Sequence, residues 1–213
     1  MRLKAVIFDL DGVIVFTDKF HYKAWKVIAD KLPVFFDETI NNRLRGVSRM
    51  ESLDIILEKY EGKSLTLQDK EALASEKNDI YKQLLLEMSE KDVSQEVRDT
   101  LAEIRKRGYK IALGSSSKNA KFILHQVGLM EAFDAVSDGN NIHKSKPDPE
   151  VFLKAADYLG IEYTNCLVVE DAMAGIEAGK SAAMATAAIG DATKCNKADY
   201  TLDKFKDLLN ILK

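Results

Sequence analysis

Cysteine, proline and net charge are all in short supply in this chain. Cys166 and Cys195 are the only two cysteines among 213 residues, and neither stands in a CxxC or Cys/His spacing. That excludes a disulfide framework and a thiolate metal site. Cys166, inside an apolar run, reads as a small buried residue. Two unpaired thiols fit a reducing compartment, so a cytoplasmic location is expected. The three prolines are Pro33, Pro147 and Pro149, and none interrupts a strand-like run. No apolar stretch reaches the ~20 residues that a bilayer-spanning helix needs. The N-terminus runs straight into a strand-like segment, with no secretory leader expected. A formal net charge of only −3 gives no general attraction to nucleic acid or to an anionic membrane. Any anion site must therefore be built locally.

What is present suffices for a sizeable core. Hydrophobic residues make up 46% and charged residues 31% of the chain, an ordinary globular balance. The length suits one large domain or a core with a smaller insert. Residues 3–8, LKAVIF, form a short apolar run ended by Asp-Leu-Asp-Gly and predict a buried parallel strand. Residues 109–113 and 166–169 repeat the pattern, and the Ala-rich 183–187 is a weaker case. Helical periodicity fills 95–107, 118–127 and 149–159, each closed by a glycine: Gly108, Gly128 and Gly160. Strand alternating with helix implies an α/β fold, a parallel sheet with helices on both faces. From about 18 to 88 the pattern changes to helices alone, around 22–32, 52–60 and 68–88. This stretch reads as a helical insert after the first strand.

In an open parallel sheet, ligands gather at the carboxyl ends of the strands. Each predicted strand here ends in a polar cluster. Asp9 and Asp11 flank Leu10, and Gly12 permits a turn. Asp9 can then act as nucleophile and Asp11 as acid/base; the alternative is an ordinary acidic strand-to-loop junction. Gly114–Asn119, GSSSKN, offers hydroxyls and N–H groups leading into a helix, which is an anion seat or simply an N-cap. Lys146 in SKPDP can aim an ammonium at a phosphoryl group, or be a solvated turn lysine. Glu170 and Asp171 follow the CLVV run. Crowded beside Asp9, they call for a cation, and oxygen ligands with a phosphate substrate favour Mg²⁺. Asp171 can also cap a helix beginning near Ala172.

Together, DLDG, GSSSK, SKPDP and ED, in this order and at strand ends, resemble the haloacid-dehalogenase superfamily. HYKAW, RGVSRMESL, KND and KIALGSSSKNA extend the resemblance to its β-phosphoglucomutase subgroup, from about residue 3 into the 180s. The resemblance implies a Rossmann-like parallel-sheet core, 1–16 and 89–213, with an inserted all-helical cap domain, 17–88. It implies that Asp9 carries the phosphoryl group and that Asp11 is the acid/base. The Asp9, Glu170 and Asp171 carboxylates and the Asp11 carbonyl would hold Mg²⁺. Ser115 and Lys146 would grip the transferring group, with Ser116, Ser117 and Asn119 as further substrate-binding residues. In the cap, Arg49 would hold the phosphate distant from the reaction. Leu44, Gly46, Val47, Ser48, Ser52, Lys77 and Asn78 would contact sugar or phosphate. His21 would steady Asp11, Trp25 would mainly pack the cap with a minor substrate contact, and Thr17 would be the hinge. Phe16 departs from the pattern, standing where the family carries a polar or acidic residue.

The activity so implied is interconversion of β-D-glucose 1-phosphate and glucose 6-phosphate through a bisphosphate intermediate. The alternative is a sugar- or polyol-phosphate phosphatase with the same nucleophile. A small phosphorylated sugar is the expected partner, with no nucleic acid, no membrane and a monomeric chain. A non-catalytic binding protein would be signalled by loss of Asp9, Asp11, Lys146 or the Glu170–Asp171 pair, and all are present. A nucleotide-binding dehydrogenase would carry GxGxxG after the first strand, which is absent.

Overall fold

The computed structural model describes residues 3–44 and 47–212. Six parallel strands form one sheet: β1 (Ala5–Phe8), β2 (Lys110–Gly114), β3 (Ala135–Ser137), β4 (Cys166–Glu170), β5 (Ala185–Ala188) and β6 (Tyr200–Thr201), in the order β3-β2-β1-β4-β5-β6. The parallel α/β fold expected from the sequence is thus present. Strand β1 pairs with β2 on one side and β4 on the other, Phe8 standing opposite Leu113 and Val169. All four β1 residues are fully buried, as a strand covered on both faces requires.

Two strands were not foreseen. Strands β3 and β6 have three and two residues, too few for any period to register. The Ala-rich strand begins at Ala185, not 183, because Ala183 has φ 57° and donates its N–H back to Lys180 at the end of the preceding helix.

The chain divides into two compact units, one of Met1–Phe16 with Ser89–Lys213 and one of Thr17–Met88. The second holds helices α1 (Asp18–Lys31), α2 (Glu38–Asn42), α3 (Arg49–Ile56) and α4 (Leu67–Leu85), and no strand among its described residues. Its core gathers Trp25, Ile28, Phe36, Leu53 and Ile56. Helices α3 and α4 each begin with a capping box, Ser48 with Glu51 and Thr66 with Asp69, which satisfies first-turn N–H groups. The α/β unit adds α5 (Gln95–Lys106), α6 (Ala120–Gln126), α7 (Glu150–Leu159), α8 (Met173–Ser181) and α9 (Leu208–Ile211). Val151, Phe152 and Ala155 of α7 pack with Ile7, Ala112 and Val168 of the sheet. Among the described residues, no helix is long and apolar enough to cross a membrane.

Candidate active site

The strand order reverses direction between β1 and β4, the place where open α/β sheets bind ligands. Asp9 follows β1 and donates its N–H to Val169 O at 3.0 Å, extending the ladder by one step. Its carboxylate therefore stands beside those of Glu170 and Asp171. Lys146 donates from Nζ to Asp9 Oδ1 at 2.5 Å and to Glu170 Oε1 at 2.7 Å. The three side chains are nearly inaccessible, at 3% for Lys146, 11% for Asp9 and 2% for Glu170. The second Glu170 oxygen accepts the Ala172 N–H at 2.8 Å. The N-cap residue of α8 is Ala172, one residue after Asp171.

One oxygen each from Asp9, Glu170 and Asp171 lie within 4.8 Å of one another. Asp9 and Glu170 share one ammonium and Asp171 adds a third carboxylate beside them, an excess of acid in a largely buried site. Burial pushes the Asp9 carboxyl well above its usual range; Lys146 opposes that rise, and Glu170 and Asp171 add to it. For Lys146, burial alone would weaken the ammonium, but Asp9 and Glu170 outweigh it and hold the charge in place. An all-oxygen, acid-rich donor set of this kind fits a hard divalent cation, and these residues can hold a metal ion.

Two glycines make the space, and one was invisible in sequence. Gly12 sits at φ +81°, and a Cβ there would lie 2.0 Å from Asp171 Oδ2. Gly175 lies in α8, where a Cβ would come 2.0 Å from Glu170 Oε1. Its signal was a glycine in a helical first turn, a position where alanine is favoured by up to about 1 kcal/mol. Gly175→Ala should therefore leave the helix at least as stable yet displace a carboxylate that Lys146 and Ala172 hold. Calorimetric titration should show divalent-cation affinity falling by roughly tenfold or more; unaltered affinity would refute the steric argument.

Beyond β2, Ser115 is buried and donates its N–H to Ser137 O at 3.0 Å. Its Oγ accepts the Ser117 N–H, and Ser117 Oγ accepts that of Asn119, both at 3.2 Å. Asn119 is the N-cap residue of α6 through its backbone, without a side-chain cap bond. The Ser116 hydroxyl is buried with no protein partner. Asp11 is half-buried in the tight loop where Gly12 N–H meets Val15 O at 2.7 Å.

The helical unit carries a second cluster. The Lys77 ammonium is buried 2.7 Å from His21 Nδ1 and lies over the rings of Trp25 at 5.0 Å and Tyr81 at 4.5 Å. Tyr81 stacks on His21 at 4.1 Å and donates from its hydroxyl to Thr17 Oγ1 at 3.0 Å. Tyr81 carries no functional sign in the sequence; only its helical spacing from Lys77 could have raised it. Arg49, half-buried at the start of α3, donates to Asn78 Oδ1 at 2.7 Å. Leu44, Ser52 and Trp25 are buried, Leu44 and Trp25 in the core of this unit. Val47 is a half-exposed neighbour of Ser48, whose Oγ caps α3. Gly46 lies outside the described residues.

Burial, then the Lys77 and Arg49 charges, drive the His21 imidazole well below its usual range. It is neutral when folded at pH 7. Below about pH 6.5 an unfolded histidine takes up a proton that the folded one resists. The unfolded state then binds more protons, so this residue lowers stability as pH falls. Relative to wild type, His21→Gln should gain stability as pH falls from 8 to 5, read as a change in the slope of the urea midpoint against pH. An unchanged slope would contradict the burial of a neutral ring.

The family model described as a haloacid dehalogenase-like hydrolase matches residues 3–183. A beta-phosphoglucomutase of Bacillus subtilis is 39% identical over 212 residues, covering 97% of this chain and 92% of the relative. A phosphorylated carbohydrates phosphatase of Thermotoga maritima is 30% identical over 182 residues, 84% of this chain and 82% of the relative. The crystal structure of a beta-phosphoglucomutase from Clostridium difficile superposes with a TM-score of 0.90 at 38% identity, covering 97% of this chain and 93% of that one.

Proposed function

Because the chain belongs to the haloacid dehalogenase-like hydrolase family, we propose that it interconverts β-D-glucose 1-phosphate and glucose 6-phosphate through an aspartyl phosphate on Asp9. The observation that carries this reading is Asp9 at the β1 tip, held by the same Lys146 ammonium that binds Glu170. A carboxylate so fixed is a positioned nucleophile, and the ammonium beside it balances an incoming phosphoryl dianion.

The Asp9, Glu170 and Asp171 carboxylates and the Asp11 carbonyl would hold Mg²⁺, which would supply charge neutralisation around the phosphoryl group. The chain's own residues carry the steps. In the first half-reaction the sugar 6-hydroxyl attacks phosphorus on phosphorylated Asp9, Asp11 takes the hydroxyl proton, and the Asp9–phosphorus bond breaks. The product is the 1,6-bisphosphate. In the second, Asp9 attacks the phosphorus at C1, that phosphorus–oxygen bond breaks, and Asp11 returns its proton to the leaving oxygen. Ser115 and Lys146 hold the transferring oxygens, with Ser116, Ser117 and Asn119 shaping their loop. Arg49 holds the other phosphate, its planar fork suited to a dianion, with Ser52, Lys77 and Asn78 as further donors. His21 stands against the Lys77 ammonium, Trp25 and Leu44 pack in the core of the helical unit, and Thr17 is the hinge residue. A cytoplasmic monomer acting on a small phosphorylated sugar goes with this reading.

A phosphatase with the same first step is the second reading, favoured by the relatives named as phosphatases at 30% and 31% identity. Incubation with β-glucose 1-phosphate, Mg²⁺ and a trace of the bisphosphate separates the two. Glucose 6-phosphate as product supports the mutase; free glucose with inorganic phosphate replaces it with the phosphatase.

A further inference from the structure

The loop that carries Lys146 has little to hold it in place. His143, Lys144 and Pro147 are exposed, and Lys146 alone among residues 143–147 is buried. No apolar side chain in that segment anchors it to the core. Ile142 packs against the core just before it and the Asp148 N–H donates to Ser145 O at 3.1 Å within it, yet Lys146 must reach both Asp9 and Glu170, and ordering a loop costs conformational entropy at every residue.

The restraint comes from the first residue of α7. Glu150 Oε2 accepts the N–H groups of His143 at 2.8 Å and Lys144 at 2.9 Å. Its Oε1 meets Lys154 Nζ one turn along the helix, at 2.8 Å. Lys154 also donates to Asn141 O, and Asn141 Nδ2 donates to Ser137 Oγ at 3.1 Å, which ties the start of the loop to the end of β3. Asp148 Oδ1 accepts the Glu150 N–H at 3.0 Å and closes the other end. The same helix presents Phe152, fully buried, whose ring lies 4.7 Å from the Lys146 ammonium. One helix end thus grips the loop backbone with Glu150 and seats the ammonium with Phe152.

We propose that Glu150 is a positioning residue for phosphoryl transfer, clamping the 143–150 loop so that Lys146 stands between Asp9 and Glu170. Lys154, then the Lys144 and His143 amides, hold the Glu150 carboxyl down to about 2. The clamp is therefore charged throughout the range in which an enzyme of this kind works. Glu150 touches no reacting atom; its effect passes through Lys146. The inference rests on the phosphoryl-transfer reading for its catalytic consequence, while the clamp itself can be tested without turnover.

The experiment compares wild type, Glu150→Ala and Glu150→Gln as full chains, with two readouts. The first is turnover of β-glucose 1-phosphate at saturation. The second is the acetylation rate of each lysine by an N-hydroxysuccinimide ester, mapped by peptide mass. Lys77, equally buried but in the helical unit, is the control for general loosening. In Glu150→Ala, kcat should fall by roughly tenfold to a hundredfold, as a misplaced catalytic group predicts. Acetylation of Lys146 should rise by roughly tenfold or more, as local opening predicts, while Lys77 stays protected. Glu150→Gln keeps a neutral acceptor for the amides and should show the same changes at smaller size. It decides the matter if the alanine variant exposes Lys77 as well. Turnover equal to wild type, or reduced turnover with Lys146 still protected, overturns the proposal. A wild type with no activity on the sugar phosphate refutes the proposed reaction instead, and the acetylation ratio still decides the clamp.

Discussion

Asp9→Asn is expected to abolish phosphoryl transfer, by roughly 10⁴-fold or more, and to leave the fold at least as stable as wild type. The first half follows from chemistry: an amide cannot accept a phosphoryl group as the carboxylate does. The second half follows from burial. The Asp9 carboxyl is pushed up mainly by desolvation, with Glu170 and Asp171 adding to it against Lys146. An acid whose pKa rises on folding lends stability that is fully present below its unfolded value and is lost as pH climbs through the folded one. Ionised Asp9 is therefore a cost to the apo protein at neutral pH. Asparagine removes that cost and still accepts a hydrogen bond from Lys146. Calorimetry without divalent cations should show an unaltered or raised melting temperature. Substantial turnover by the variant would remove Asp9 from the mechanism, and a lowered melting temperature would contradict the electrostatic account.

Lys146→Ala should damage both properties. It deletes the one ammonium that meets Asp9 and Glu170, leaving two buried carboxylates side by side. Breaking a buried ion pair by removing one partner costs about 3–5 kcal/mol, which for a chain of this size lowers the melting temperature by on the order of 10 °C. Activity should fall by roughly 10³-fold, the scale of a lost electrostatic stabiliser. The pH dependence supplies a sharper check. Without the ammonium, the rise in the Asp9 pKa meets no opposition, so protonation stabilises the variant more than wild type. The stability gap between them should narrow as pH falls from 7 to 5. Mg²⁺ should also rescue the variant more than wild type, since a cation then meets uncompensated carboxylates. A gap that widens in acid would show that Lys146 is not what neutralises this cluster.

Much of the fold was legible because three strands are buried on both faces. β1, β2 and β4 are uninterrupted apolar runs, each stopped by polar residues. β3 and β6 carried no such mark; they are short edge additions that exist because a neighbour offers them a ladder. The helix predicted over 118–127 begins at Ala120, after Ser117 and Asn119 have spent their N–H groups in the serine loop. The helix predicted to Met88 ends at Leu85, where Leu86, Glu87 and Met88 turn back with i→i−3 bonds.

The site was legible by the same logic and illegible where that logic stops. Strand ends announce Asp9, Ser115 and Glu170, since a buried run must end somewhere polar. The meeting of Lys77 with His21, 56 residues apart, and of Arg49 with Asn78, 29 apart, has no local sequence signature. Those residues were reached through family likeness alone. Glu150 reads in sequence as an acid in a first helical turn, a common surface feature. Its two amide partners lie upstream in a loop with no periodicity, so nothing in the pattern distinguishes it.

The distance along the chain between Asp9 and Lys146, 137 residues, has a consequence for biosynthesis. A ribosome adds ~5–20 residues per second, so Asp9 emerges on the order of ten seconds before its ammonium partner and the Glu170 carboxylate of β4. During that interval Asp9 is an ordinary acidic side chain on a strand with only some of its neighbours. A chain that stops before β4 carries Asp9, the proposed nucleophile, without the Glu170 and Asp171 carboxylates that stand beside it in the folded protein.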